Sequence, residues 1–256
     1  MPILEVKNMS HDFGGLRAVS DYNLVIEPGQ VRGLIGPNGA GKTTIFNLLT
    51  GVYCPTEGEI LLEGKNIAGF QPYRIASMGL GRTFQELRLW RHMTVLEHVK
   101  MARYSKLEYG LIGAFFGTSK RQKDEAENES RAYGLLEILG VKHLADQVVT
   151  NLSYGAQRRV EMARALAMEP KILFLDEPTA GMNPEELAQM INIIRNIKNK
   201  FGLAIFLIEH RLRMVMELCE MIQTLVFGTV IAEGTPEQIQ KNPKVIDAYL
   251  GTETVE

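Results

Sequence analysis

Gly36-Pro37-Asn38-Gly39-Ala40-Gly41-Lys42-Thr43 fits the spacing G-x-x-x-x-G-K-[ST], a pattern made for phosphate chemistry. Its glycines let the backbone curl closely around a phosphate chain, so that successive N–H groups and the start of a following helix meet the anionic oxygens. Lys42 is suited to neutralise β- and γ-phosphates and the Thr43 hydroxyl to bind Mg²⁺, with Thr44 in the same first helical turn. A chance match in a chain of this length is on the order of 1%. The pattern therefore reads as a nucleotide site. A second constellation, Ile172-Leu173-Phe174-Leu175-Asp176-Glu177, is an apolar run ending in adjacent carboxylates. Alone it reads as a strand and a solvated turn. Behind a phosphate loop it implies a division of labour, with Asp176 in the Mg²⁺ shell and Glu177 polarising the attacking water.

Strands and helices must bring these residues together. From Leu4 to Ile35 short alternating runs are separated by Gly14-Gly15 and Pro28-Gly29, which predicts strands joined by tight turns. Lys42 to Thr50 has helical character and stops at Gly51, and residues 57–67 return to strands around a turn. Residues 93–104 and 119–140 are helical in composition, so the middle of the chain reads as a helical subdomain. The runs KILFL at 171–175 and LAIFLI at 203–208 are continuously apolar, as parallel strands covered on both faces require. Between them Leu187, Met190, Ile191, Ile194 and Ile197 recur at helical spacing behind Asn183-Pro184-Glu185-Glu186, a cap, a proline at the first helical position and a glutamate three after the cap. This strand, helix, strand crossover predicts a doubly wound sheet.

Bulk composition bounds the function. With 256 residues, 45% hydrophobic and 23% charged, the chain can bury a sizeable core. A formal net charge of −2 gives no general attraction to nucleic acid, so none is expected as a partner. Cys54 and Cys219 form no C-x-x-C pair, which argues against a disulfide framework or zinc knuckle and fits a reducing cytosol. No run approaches the ~18 apolar residues of a membrane span. The stretch LIGAFF at 111–116 is too short to cross and reads as satellite core or as a partner-contacting loop. Between Arg82 and Lys106 six Lys or Arg face two Glu, a solvated helix face or a docking surface.

Further motifs stand in the order of the ATP-binding cassette family, which the chain resembles from about Leu4 to Gly251. Leu152-Ser-Tyr-Gly-Ala-Gln157 is similar to that family's signature, Gln85 to its Q-loop glutamine, and His210 in Ile-Glu-His to its switch histidine. Ala180-Gly-Met-Asn183 sits at its D-loop, and Phe13, 23 residues before Gly36, at its adenine-stacking aromatic. The resemblance implies an α/β fold: a phosphate-loop core on a parallel sheet, an N-terminal antiparallel β subdomain and a helical signature subdomain. The whole chain, 1–256, would be one ATPase domain, with 1–85 and 160–256 as core and 86–159 as helical subdomain. It implies ATP and Mg²⁺ as cofactors, Glu177, His210 and Gln85 as catalytic residues, and Thr43, Gln85 and Asp176 at the metal. Ser153, Gly155, Gln157 and Asn183 would reach the ATP of a second subunit. Two departures stand out: Tyr154-Gly155-Ala156 replaces Gly-Gly-Gln after the signature serine, and Asn183 stands where Asp is usual.

Within that family the tail GTPEQIQKNPKVIDAYLG, the IEHR at 208–211 and the long insert between Gln85 and Ser153 are similar to ATPase subunits of branched-chain amino acid importers. That implies two membrane permease subunits, a second similar ATPase and an extracytoplasmic substrate-binding protein as partners, and a cytoplasmic place on the inner membrane face. Two alternatives are an exporter ATPase of the lipopolysaccharide type and a soluble, non-transport cassette. The latter usually carries tandem cassettes or long coiled coils, and this chain has one cassette and no sustained heptads.

Overall fold

The computed structural model describes residues 1–104 and 119–250, which divide into two compact units: Met1–Arg82 with Lys171–Glu256, and Thr83–Pro170. In the first unit β1 (Leu4–Phe13) turns at Gly14 and Gly15 into antiparallel β2 (Leu16–Ile26). β3 (Val31–Ile35) is buried at every position and leads to α1 (Lys42–Leu49). β4 (Glu57–Leu62) and β5 (Lys65–Asn66) complete a four-stranded antiparallel sheet in the order β2-β1-β4-β5. α2 (Pro72–Ser77) and the short β6 (Leu80–Arg82) follow.

The second unit holds α3 (Val95–Arg103), α4 (Ser119–Ile138) and α5 (Tyr154–Ala167). Thr94 and Glu97 close a reciprocal capping box at the start of α3, while Ala132, Leu135 and Leu136 of α4 and Val160, Met162 and Ala163 of α5 are buried. The segment LIGAFF at 111–116 lies outside the described residues.

Back in the first unit, β7 (Ile172–Asp176), α6 (Pro184–Phe201) and β8 (Ala204–Ile208) form the expected crossover. Asn183 caps α6 with Glu186, Pro184 opens it, and Gly202 at φ 63° closes it. α7 (Leu212–Leu218), β9 (Met221–Val226), β10 (Thr229–Gly234), α8 (Pro236–Gln240) and α9 (Pro243–Leu250) end the described chain. The larger sheet runs β10-β9-β3-β8-β7-β6, parallel throughout except for the β9–β10 hairpin. β3, β7 and β8 are wholly buried, which explains why their sequences are continuous apolar runs without alternation. Phe46 of α1 wedges against Phe174 and Phe206 with ring centroids 4.9 and 5.1 Å away, fixing the helix on the sheet. Because β3, β7 and β8 are parallel neighbours, their carboxyl ends emerge side by side, where ligands bind in open α/β sheets. Among the described residues no helix is long and apolar enough to cross a membrane.

Candidate nucleotide site

The loop after β3 is shaped by glycine and braced by its neighbours. Gly36 has φ 155°, and a Cβ there would meet the Leu225 carbonyl oxygen at 2.2 Å; Gly41 has φ 103° and would bring a Cβ to 3.0 Å from the Ala18 oxygen. Only glycine fits such approaches. The turn of the β9–β10 hairpin supports the loop, since the Gly228 amide donates to the Ala40 carbonyl at 2.8 Å. α1 begins at Lys42 with no side-chain cap and no acidic residue in its first turn, so its positive end is left for an anion. Pro37, Asn38 and Gly39 form the curve of the loop, and Thr43 and Thr44 stand on the first turn, Thr43 exposed.

Lys42 is 6% exposed and its ammonium donates to the Gly36 and Pro37 carbonyls at 2.7 and 2.8 Å. Burial pushes its pKa below the ordinary lysine value, and the nearby Glu177 and Asp176 carboxylates oppose that shift. Asp176 ends β7 with Arg82 facing it: Nη2 donates to Oδ2 at 3.1 Å, while Nη1 donates to Asn47 Oδ1 and Thr50 Oγ1. One guanidinium thereby ties the end of β6 to α1 and to the carboxylate.

Glu177 takes the left-handed region at φ 46°, uncommon for a residue with a Cβ, and its amide donates to the Ile208 carbonyl at 2.9 Å. Its carboxylate meets His210 Nε2 at 3.0 Å, at the end of the neighbouring strand β8. With Glu177 ionised, that ring nitrogen carries the hydrogen and donates. Hydrolysis needs a carboxylate beside the reacting phosphate and a group to orient it, and this pair has that form.

Phe13 ends β1 at 43% exposure, edge-on to His11 and to Tyr53 with centroids 4.6 and 5.3 Å away. Its ring is presented to solvent rather than buried in the sheet. Asn183 spends its side-chain oxygen on the Glu185 and Glu186 amides as the cap of α6.

In the second unit Ser153 caps α5, its hydroxyl accepting from the Ala156 amide at 3.4 Å, with the half-buried Gly155 on the first turn. Gln157 is half-buried and donates to the Leu152 carbonyl at 3.0 Å. Gln85 is exposed, and its backbone is gripped from α5: the buried Arg158 donates to the Phe84 and Gln85 carbonyls and to Glu161, whose Oε1 accepts from the Phe84 amide at 3.2 Å. Tyr154, the departing signature residue, accepts from Arg158 Nη2 at 2.7 Å.

Sequence reasoning singled out neither Arg82, Arg158 nor Glu209. Arg82 is the nearest to legible, because it stands three residues before Gln85 at the end of an apolar strand.

A profile of the ABC transporter family matches residues 19–180. The chain belongs to the ABC transporter family. As an ATP-binding cassette it is an α/β ATPase, as its motif order leads one to expect. A second profile, described as a branched-chain amino acid ATP-binding cassette transporter, matches residues 229–255. The chain is 45% identical over 250 residues, 98% of each chain, to the high-affinity branched-chain amino acid transport ATP-binding protein LivG of Escherichia coli K12. It is 33% identical over 98% of each chain to the lipopolysaccharide export system ATP-binding protein LptB of Haemophilus influenzae. Among solved structures, the ADP conformation of MJ1267, an ATP-binding cassette of an ABC transporter, is 32% identical with a TM-score of 0.85, covering 98% of this chain and 99% of that one.

Proposed function

We propose that this cassette hydrolyses MgATP as one of a pair and so drives branched-chain amino acids inward through two membrane permease subunits, supplied by an extracytoplasmic binding protein. The observation that supports hydrolysis most is the convergence, at adjacent parallel strand ends, of a glycine-shaped loop holding Lys42 and of Glu177 in contact with His210. Glu177 is the water-polarising carboxylate, His210 orients it, and Lys42 leaves its two carbonyls for the β- and γ-phosphates. Thr43 and Asp176 offer a hydroxyl and a carboxylate, hard oxygen donors of the kind Mg²⁺ takes. Held by those oxygens, Mg²⁺ would supply neutralisation of phosphate charge. Phe13 stacks on the adenine. The chain acts as one ATPase domain with residues 86–159 as its helical subdomain.

Ser153, Gly155, Gln157 and Asn183 each reach toward the ATP held by a second cassette. A lone subunit is then a poor enzyme, and closure follows from the tighter binding of ATP to the closed pair. Import is favoured over export because identity to LivG, 45%, exceeds that to LptB, 33%, over equal shares of both chains. The inner face of the membrane is the place this assembly requires, and the basic stretch that follows Arg82, with Arg88 and Arg91 exposed, is its docking surface.

Glu177→Gln retains the shape of the side chain and removes the base, so ATP should bind without being split. The variant should elute as a dimer with ATP and a monomer with ADP, and Ser153→Arg should abolish that dimer. Rapid turnover by Glu177→Gln in the assembled transporter would remove it from the catalytic role. Deleting the gene should abolish uptake of labelled leucine; unchanged uptake refutes the substrate assignment.

A further inference from the structure

Glu209 is 2% exposed, placed between the last residue of β8 and the exposed His210. A buried carboxylate is costly unless its lone pairs are satisfied. Here the partners are all neutral donors from two loops. Oε1 accepts from the Thr179 amide at 3.1 Å and from the Thr179 hydroxyl. Oε2 accepts from the His210 amide at 2.9 Å and from the Arg211 amide at 3.1 Å. One oxygen thus holds the turn that follows Glu177, and the other holds the turn that carries His210.

Those are the two turns whose side chains meet at the Glu177–His210 contact. Glu177 sits there at φ 46°, a backbone conformation that persists only where the surroundings determine it. The Glu177 amide bond to the Ile208 carbonyl fixes one side of that turn, and the Glu209 carboxylate fixes the other through Thr179. A side chain tied to both backbones sets their separation, because neither turn moves without breaking charge-assisted bonds that burial strengthens.

We infer that Glu209 is a positioning residue for ATP hydrolysis, clamping the Thr179 and His210 turns so that the histidine stays on the Glu177 carboxylate. This rests on the hydrolytic reading of Glu177. Glu209 touches no reacting group in this account and acts through His210.

Glu209→Gln preserves volume and one acceptor, but its amide NH₂ must oppose N–H donors of one turn or the other, whichever way it is flipped. Kinetics on the full chain in its assembled transporter, using single turnovers of labelled ATP to reach slow rates, provide the test. In Glu209→Gln, kcat should fall about tenfold or more while KM for ATP stays within about twofold, because the phosphate loop is untouched. The decisive measurement is the double variant. If Glu209 works through the histidine, adding Glu209→Gln to His210→Ala should slow hydrolysis no further than His210→Ala alone, whereas a merely structural loss would multiply. Thr179→Val, which removes one hydroxyl donor to the same carboxylate, should give a smaller kcat loss that also vanishes in the His210→Ala background; it decides by the same criteria if Glu209→Gln does not fold. A wild-type kcat in Glu209→Gln, or multiplying losses, overturns the inference while slow Glu177→Gln leaves the hydrolytic reading standing. Fast hydrolysis by Glu177→Gln overturns that reading itself, and this role with it.

Discussion

Arg82 holds the Asp176 end of the site, and its removal is a measurable test of how the sheet positions that carboxylate. The guanidinium donates to Asn47 Oδ1 at 2.9 Å, Thr50 Oγ1 at 2.8 Å and Asp176 Oδ2 at 3.1 Å, with the Arg82 and Asp176 side chains 8% and 2% exposed. Breaking a buried pair from one side costs about 3–5 kcal/mol, since the remaining charge loses its counterpart in a poorly solvated place. An exposed pair in the same unit, Lys171–Glu63 at 57% and 48% exposure, should contribute no more than about 1 kcal/mol. In a chain of this size each kcal/mol moves the melting point by about 2–4 °C, so Arg82→Ala should lower Tm by about 6–20 °C and Lys171→Ala by at most about 4 °C. Arg82→Lys should fall between, because an ammonium retains the charge but not the fork that reaches three acceptors. Thermal melts of the nucleotide-free chain followed by circular dichroism make the comparison. If Arg82→Ala melts no lower than Lys171→Ala, the pair is not holding the end of β7, and the assignment of its energy to burial is wrong.

Lys42→Ala should weaken nucleotide binding by at least about 2–3 kcal/mol through loss of a charge-assisted contact to phosphate; near-normal affinity for a fluorescent ATP analogue would refute the phosphate assignment. Phe13→Ala should cost about 1–2 kcal/mol of adenine binding if the exposed ring stacks, and an unchanged Kd would leave it a strand-end aromatic. His98 is fully buried, with Nδ1 on the Thr94 carbonyl and Nε2 accepting from the Trp90 amide; burial pushes its imidazole below the ordinary value, the Thr94 carbonyl opposes this and the Arg164 cation adds to it. The unfolded chain therefore takes up the proton first, so stability should be full above about pH 6.5 and decline as pH falls below it. Tm measured between pH 7.5 and 5.5 should show that slope in the wild type and less of it in His98→Gln; equal slopes would clear His98 of the effect.

Much of the architecture was legible because burial writes itself into composition. Residues 172–176 and 204–208 are apolar at nearly every position since both faces of β7 and β8 are covered, and Asn183, Pro184 and Glu186 each serve the start of α6 in the way their types and spacing indicate. The glycine-shaped loop was equally plain, because Gly36 has no room for a Cβ beside the Leu225 oxygen and Gly41 takes a φ of 103° that favours glycine. Phe13 was ambiguous for the opposite reason: an aromatic ring suits a core and a platform alike, and its 43% exposure makes the ring accessible without assigning it to adenine.

The residues that escaped notice are held by contacts that no sequence pattern records. Arg158 reaches Gln85 and Phe84 only through their carbonyls, beside its bonds to Tyr154 and Glu161 on its own helix, and Glu209 accepts from the amides of Thr179, His210 and Arg211 besides the Thr179 hydroxyl. Backbone groups are the same at every position, so such a contact leaves no complementary residue type in the sequence for a pattern to match. Arg82 has side-chain partners, yet they lie 35, 32 and 94 residues away and are set by the register of β6 on β7 and by the seating of α1. Motifs mark the groups expected to face the nucleotide, whose chemistry restricts the residue type. The groups that hold those in place are restricted by geometry instead, and geometry becomes visible only once the strands are paired. That is why Glu209, buried and bonded to the turns that follow Glu177 and carry His210, is read from the fold rather than from the Ile-Glu-His pattern that contains it.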